Sequence, residues 1–520
     1  MHGAHDDLQC CNPGDVGYTG IIGHRQEICG RIEDRGDKRQ MRDGRTVRKL
    51  PTEVRVGRVL KNLVRPAAAL ERRDGYRTLK NYVTCDSDGR VLILCGFPGT
   101  GKTTLICQAI ADLGPDDFDR TALVRIRAYN EMDDVIESMR WLQRNDYSIV
   151  FLDDITLTHG FANGASILSD ICACSGMKVI LSGDDPLEFQ LCERDELYDR
   201  CIMLHMTTLP YREWERVLGT HGIDAYILGD KWLGGESMGA DAYVAAATDS
   251  MRHALEQYRF DGHLHHLKEI REEGRLYPAI RGVLEETNGR FAFDVLSRFA
   301  TQRPKGGDQF GACLRDALAR WERSRQETEV TEEQRREIRE CLDLVDLTVD
   351  IPTEFLPASN RKQSRTVVSR PGLRYARAEE MICRLLEDKP FRRFSDEERE
   401  EMCAAMLQAV SARLMEDIAL LETQTARNME KVIRLQFAEG GEFDMVVVDQ
   451  ARIECEVYTI RYAAEPLPRH LRHLEDQKNL DEAAFRYGRI RRRALIYLGE
   501  SRWHQSSIEY LNVEEYLRSL

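Results

Sequence analysis

No uncharged stretch in this sequence reaches the ~20 apolar residues that a membrane-spanning helix needs. The longest candidate, Ile155 to Ser169, carries His, Asn, Thr and Gly. The opening residues, Met-His-Gly-Ala-His-Asp-Asp, lack the basic-then-apolar order of a secretory signal. No Cys-x-x-Cys pair occurs among the 15 cysteines. Their odd number, their scatter and their place in apolar segments (Cys95, for one) fit reduced, buried thiols in a cytoplasmic chain. His263, His265 and His266 lie close together but have no Cys or Glu-x-x-His partner, so they read as a solvated helix face rather than a metal site. An excess of basic charge is missing too. The net charge of −14 excludes a globally basic nucleic-acid binder and leaves only a local patch open. There is no internal repeat.

What is present is a long chain with ample core. Its 520 residues correspond to about three domains at ~150 residues each. The 42% of hydrophobic residues supports packed interiors and the 31% of charged residues a solvated surface. Residues 1–74 read as an N-terminal extension. Its first 50 or so residues are loose, without apolar periodicity. From Arg45 to Lys80 there follow eleven Lys or Arg against three acids.

Residues 75–220 alternate short apolar runs with helix-like segments. The runs are Val91 to Cys95, Ala122 to Ile126, Ser148 to Leu152, Lys178 to Leu181 and Cys201 to Leu204. Near-continuous apolar strands between helices predict a parallel sheet covered on both faces. Residues 221–390 read as a mainly helical middle region, with helices at Asp241 to Tyr258, Leu264 to Glu273, Pro278 to Glu286 and Thr331 to Leu344, and an irregular stretch or short strands from Pro352 to Pro371. Residues 391–520 switch to α+β: a long helix from Asp396, strands at Glu442 to Val448, Ile453 to Tyr462 and Arg493 to Leu498, and a helix at Asp476 to Tyr487.

The chemistry concentrates in Gly96-Phe97-Pro98-Gly99-Thr100-Gly101-Lys102-Thr103, which fits Gly-x4-Gly-Lys-Thr between a strand and a helix, with Thr104 next on that helix. Glycines let backbone N–H groups turn inward around phosphate oxygens, and the helix N-terminus adds partial positive charge. Lys102 supplies charge at the β- and γ-phosphates, and the Thr103 hydroxyl is a Mg²⁺ ligand. The strand Ile149 to Leu152 ends in Asp153 and Asp154. Asp153 is expected to hold Mg²⁺ and Asp154 to orient the attacking water. Ser182 ends the next strand and is expected to contact the γ-phosphate or the water. Arg200 and Arg281 are candidates to complete the site. The implied cofactors are ATP and Mg²⁺. Guanine specificity is disfavoured, since no Asn-Lys-x-Asp follows the loop.

These motifs resemble the bacterial and archaeal AAA+-type P-loop ATPases whose chains end in a domain of unknown function. The resemblance rests on the loop, the paired acids, Lys178-Val-Ile-Leu-Ser-Gly-Asp-Asp-Pro-Leu187, Leu197-Tyr-Asp-Arg-Cys201 and Thr208-Leu-Pro-Tyr-Arg-Glu-Trp214, and spans Tyr76 to Leu520. It implies an ATPase joined to a C-terminal domain similar to the restriction-endonuclease-like fold. Two departures stand out: Asp153-Asp154 replaces the usual Asp-Glu, and Phe97-Pro98-Gly99 replaces an Arg-rich loop. In the C-terminal domain, Asp444 stands for the first acid of a nuclease site. Neither Glu456-Val457-Tyr458 nor Thr459-Ile460-Arg461 keeps the Glu-x-Lys that should follow, so a nuclease-like fold without cleavage is expected. Arg486, Arg489, Arg491, Arg492 and Arg493 form a basic run that is either a nucleic-acid footprint or a solvated face. A second copy of the chain stays open as a partner. A slow ATP-dependent switch and an ATP-linked DNA nuclease remain the competing functional classes.

Overall fold

The structure, a computed structural model, describes residues 50–85, 88–97, 99–229, 264–301, 307–324, 330–345, 347–357, 363–503 and 508–520, and short pairs between 244 and 256. Residues 1–49, Pro98 and His263 lie outside the described residues, as does most of the helix expected at Asp241 to Tyr258.

The first sheet has six strands: β1 (Glu53–Arg55), β2 (Val91–Cys95), β3 (Thr121–Arg125), β4 (Ile149–Asp153), β5 (Lys178–Gly183) and β6 (Cys201–His205). Their spatial order is β1-β3-β4-β5-β2-β6. The five strands expected from their apolar runs are parallel, and β1 joins the edge antiparallel to β3. Side chains alternate between faces, so a strand covered on both sides must be apolar at every position. Val91, Ile93 and Cys95 of β2 pack into one layer, Leu92 and Leu94 into the other. Residues 50–74 are therefore not an extension. The basic segment contains β1 and the helix Gly57–Ala68, whose Leu60 and Val64 are buried while most of its cations face solvent. Polar residues on the outer face masked this amphipathic helix in the charge count.

The second sheet has eight strands: β7 (Thr348–Leu356), β8 (Gln363–Val368), β9 (Lys431–Phe437), β10 (Glu442–Asp449), β11 (Glu454–Arg461), β12 (Arg489–Tyr497), β13 (Arg502–Trp503) and β14 (Glu509–Asn512). Its order is β13-β14-β12-β11-β10-β9-β7-β8. At its centre the helix Asp396–Ala426 leads into the antiparallel β9-β10-β11. The helices Pro468–Glu475 and Gln477–Tyr487 then return the chain to β12, parallel to β11. Ser395 caps the long helix in a capping box with Glu398, which fixes its start where the sequence placed it.

The boundaries expected at 220 and 390 do not divide the packing. The segment expected to be irregular or to hold short strands contributes to β7 and β8, which pair with each other, and β7 pairs with β9 of the C-terminal sheet. One continuous core joins Tyr211, Trp214 and Tyr226 to Phe291 and Leu314 of the middle helices, Leu414 and Ile418 of the long helix, and Tyr516 and Leu517. A second core joins Phe97 of the glycine loop to Leu276 and Ile280, and to Val345 and Val368 beside and within the second sheet. Among the described residues, no helix is long and apolar enough to cross a membrane.

Candidate functional site: the loop after β2 and the acids after β4

β5 lies between β2 and β4, so the glycine loop and the acidic pair sit at neighbouring C-terminal strand ends, with Ser182 between them. The loop leaves β2 at Gly96, where a Cβ would come 2.2 Å from the Met206 carbonyl oxygen. Only glycine fits so close to another backbone. Gly101 takes the left-handed conformation (φ 89°) that starts the helix Lys102–Ala111. The first turn of this helix, which carries Thr103 and Thr104, points its free N–H groups toward the loop.

Lys102 is buried. Its ammonium donates to the carbonyls of Gly96 (2.7 Å) and Phe97 (2.9 Å) and is ion-paired with Asp184. Thr100 closes the loop on itself, its hydroxyl donating to the Phe97 carbonyl at 2.9 Å. The Thr103 hydroxyl meets both Asp153 carboxylate oxygens, at 3.3 and 3.2 Å. The Ser182 hydroxyl donates to Asp153 Oδ1 at 2.7 Å. Thus Ser182 is where the sequence put it, between the two motifs, but its contact is Asp153 itself. Asp154 is turned out of the strand by a left-handed backbone (φ 63°), a conformation Asp tolerates better than most residues. Burial first, then the neighbouring Asp153 and Asp184 charges, pushes the Asp154 carboxyl up to about 6, against Arg125 and Lys102.

The donor set suits Mg²⁺: a hydroxyl and a carboxylate, both hard oxygen ligands, already converge. The glycine loop and helix N-terminus form the cradle that phosphates require.

Two residues that sequence reasoning missed complete the surroundings. Arg73 Nε pairs with Glu213 at 2.7 Å, while its Nη1 donates to the carbonyls of Thr100 (2.7 Å) and Thr207 (2.9 Å). Nothing in the basic stretch distinguishes Arg73 from its neighbours. Arg125 lies in register beside Asp153. A cation closing an otherwise apolar strand was a signal available in the sequence.

Of the two arginines expected to complete the site, Arg200 lies elsewhere and Arg281 has an exposed side chain. Arg200 sits at the start of β6, level with Val91, at the opposite end of the sheet from the loop. That is about 16 Å away at ~3.3 Å per residue. It is exposed and pairs with Asp170 at 2.9 Å. Arg281 is exposed on the helix Leu276–Thr301, with Glu285 at 3.9 Å.

In the second sheet the two acids of the expected nuclease site are not brought together. Asp444 Oδ2 accepts the Ile460 amide (2.8 Å) and the Arg461 guanidinium (2.6 Å). Burial still holds its carboxyl above the ordinary carboxylate range. Glu456 is also buried, yet Arg427, Tyr458 and Arg491 hold it below that range. The register beside Asp444 is Thr459-Ile460-Arg461, where Thr replaces Glu and Arg replaces Lys. Among the described residues, no group of three His, Cys, Asp or Glu is placed to hold a metal.

The basic run is likewise dispersed. Arg489 pairs with Glu454 at 3.1 Å, Arg491 with Glu456 at 2.7 Å and Arg492 with Glu509 at 2.9 Å. Arg493 donates to the Leu474 carbonyl at 3.5 Å, and Arg486 stacks toward Tyr487. Strand alternation turns Arg492 to the face opposite Arg491 and Arg493, and each of the five cations is engaged by the protein's own groups.

The strand, glycine loop, helix and paired acids form a P-loop arrangement of the kind found in nucleotide-binding proteins. Residues 92–166 match the family described as ATPase family associated with various cellular activities (AAA). Among solved structures, the S. cerevisiae Hsp104–ADP complex is similar at 15% identity, covering 71% of this chain and 61% of that one, with a TM-score of 0.26. The S. cerevisiae Hsp104:casein complex in its extended conformation matches at 14% identity over 43% of this chain and 51% of that one, TM-score 0.26. C. elegans PCH-2 matches at 11% identity over 56% and 67%, TM-score 0.20. The chain thus spans between half and two thirds of the Hsp104 chains it matches. No curated protein matches it.

Proposed function

We propose that this protein binds ATP and hydrolyses it to ADP and phosphate with Mg²⁺, and that its C-terminal sheet is a nuclease-like unit that does not cut. The convergence of the Thr103 and Ser182 hydroxyls on one Asp153 carboxylate carries the first part. Lys102 holds the β- and γ-phosphates, and the loop amides and helix N-terminus orient them. Thr103 and Asp153 hold Mg²⁺, which when bound neutralises charge developing on the phosphate oxygens. Asp154, one methylene shorter than Glu, orients the attacking water and accepts its proton. Ser182 keeps Asp153 in place.

The non-cleaving reading is supported by the separate arginine partners of Asp444 and Glu456. Phosphodiester cleavage needs carboxylates free to converge on a metal, and Arg461 stays protonated and cannot ready a water. One reaction tests both halves. Purified protein with ATP, Mg²⁺ and supercoiled plasmid is expected to release phosphate, to stop when the metal is chelated, and to leave the plasmid intact. Absence of phosphate release overturns the first half; cutting that disappears in Asp444→Ala overturns the second.

A slow ATP switch is the second reading, favoured by the placement of Arg200 at the opposite end of the sheet from the loop. Turnover then waits on an arginine from a second copy or another partner. Phosphate release per protomer that climbs with protein concentration marks the second copy.

A further inference from the structure

The segment Tyr211-Arg212-Glu213-Trp214 has no role in the chemistry above, yet it lies between the glycine loop and the C-terminal unit. We infer that the helix Tyr211–Leu218 is a mechanical link through which the C-terminal unit sets the shape of the glycine loop, with Arg73 as the positioning residue at its loop end. The inference rests on the reading of that loop as the ATP site.

On the loop side, one guanidinium spans three segments. Arg73 holds the carbonyls of Thr100 and Thr207 and is itself held by Glu213. Both partners of the ion pair are nearly buried, with side chains 11% and 7% exposed. Charge-assisted bonds of this kind are stronger and more directional than neutral ones, so a shift of Glu213 is passed to the Thr100 carbonyl. Thr100 is two residues before Lys102. The next segment is tied in parallel: Asp74 accepts Arg212 at 3.2 Å and Arg216 at 2.6 Å.

On the far side, the same helix is gripped by the C-terminal unit at both ends. The Tyr211 backbone N–H donates to Glu422 of the long helix Asp396–Ala426. Arg518, in the final helix Val513–Ser519, forms a fork on Glu215, with one contact at 3.0 Å. Glu514 of that helix accepts the Ile223 amide at 3.1 Å. Inside the shared core Tyr211 stacks on Trp214, and Tyr226 meets both rings edge-to-face. Thr208, just before the helix, donates to the Ser369 carbonyl at 3.1 Å, next to β8. A rigid helix tied through Glu213 to the loop and through Tyr211 and Glu215 to two helices of the C-terminal unit transmits displacement, because packed interiors shift as units. Anything that moves the C-terminal unit changes the cradle for ATP, and by reciprocity ATP changes the docking of that unit.

The test is a set of variants in the full chain, read by the ATP dissociation constant in Mg²⁺ and by KM and kcat, with Lys102→Ala as control. Arg73→Ala is expected to raise the dissociation constant about tenfold, the worth of one charge-assisted bond. Arg73→Lys should recover only part, since an ammonium cannot grip two carbonyls and a carboxylate as a planar fork does. Arg518→Ala and Glu422→Gln touch nothing at the loop. Each is expected to shift KM for ATP about threefold or more, as coupled sites do. A double-mutant cycle of Glu213→Gln with Arg518→Ala should be non-additive, because both act through one helix. Should Arg73→Ala fail to fold, Arg73→Lys and the half-exposed Arg518→Ala carry the test. Wild-type affinity in Arg73→Ala, or unchanged ATP constants in both Arg518→Ala and Glu422→Gln, overturns the link. If wild-type protein binds no ATP, the reading of the loop has failed, a result separate from either of these.

Discussion

Lys102→Ala protein is expected to show no measurable ATP hydrolysis and to bind nucleotide about 30- to 1,000-fold more weakly, the consequence of losing a buried, hydrogen-bonded charge worth roughly 2–4 kcal/mol. The side chain is 5% exposed. Its ammonium rests on the Gly96 and Phe97 carbonyls and on Asp184, a short distance from where the helix N-terminus presents its free amides. Alanine keeps the helix, since it is the strongest helix former, so the loss is chemical rather than conformational. Thermal unfolding separates the two: wild-type protein should gain stability with Mg²⁺ and ATP, as any ligand bound only by the folded state confers. The variant should unfold near the wild-type temperature without ligand and gain nothing from it. Normal turnover in Lys102→Ala would remove the P-loop assignment altogether.

Asp154→Asn should separate binding from reaction. The residue sits at φ 63°, which Asn adopts as readily as Asp, and the amide fills the same space. ATP affinity is therefore expected to stay within a few-fold of wild type. Hydrolysis should fall about 10²- to 10⁴-fold, the usual contribution of a positioned general base. Asp153→Asn behaves differently. That carboxylate accepts both the Thr103 and Ser182 hydroxyls, so its loss should also weaken the dependence of binding on Mg²⁺. If Asp154→Asn turns over normally, another group orients the water, and Arg125 and Asp184 become the residues to replace next.

The first sheet was legible because physics leaves a doubly covered parallel strand little choice. Val91 to Cys95 and Ile149 to Leu152 can be nothing but apolar, and the glycine loop has fixed spacing. Asp153, Asp154 and Ser182 follow from strand ends that a local pattern reveals. Arg73 does not: its role exists only because Thr100, Thr207 and Glu213 arrive from three distant segments. β7 and β8 were obscured for a related reason. Pro352 and the surrounding polar residues weaken the local strand signal, and the pairing that settles it comes from β9, far along the chain. The arginine run near β12 misled in the opposite direction. Consecutive charges look like a patch on paper, but the pleat splits them, and Glu454, Glu456 and Glu509 on neighbouring strands absorb three.

The grip of the last helix on Glu215 also dictates a schedule. Arg518 is made 303 residues after Glu215, roughly 15–60 s later at ribosomal speeds of about 5–20 residues per second. The aromatic knot of Tyr211, Trp214 and Tyr226 lacks the long helix until Ala426 is made, and it lacks the final helix throughout that interval. The nascent chain therefore carries a sticky, unfinished surface beside a nearly complete nucleotide cradle. Only the arrival of the helix Val513–Ser519 seals it, so a chain broken off before that helix exposes its incompleteness to chaperones and proteases at this seam.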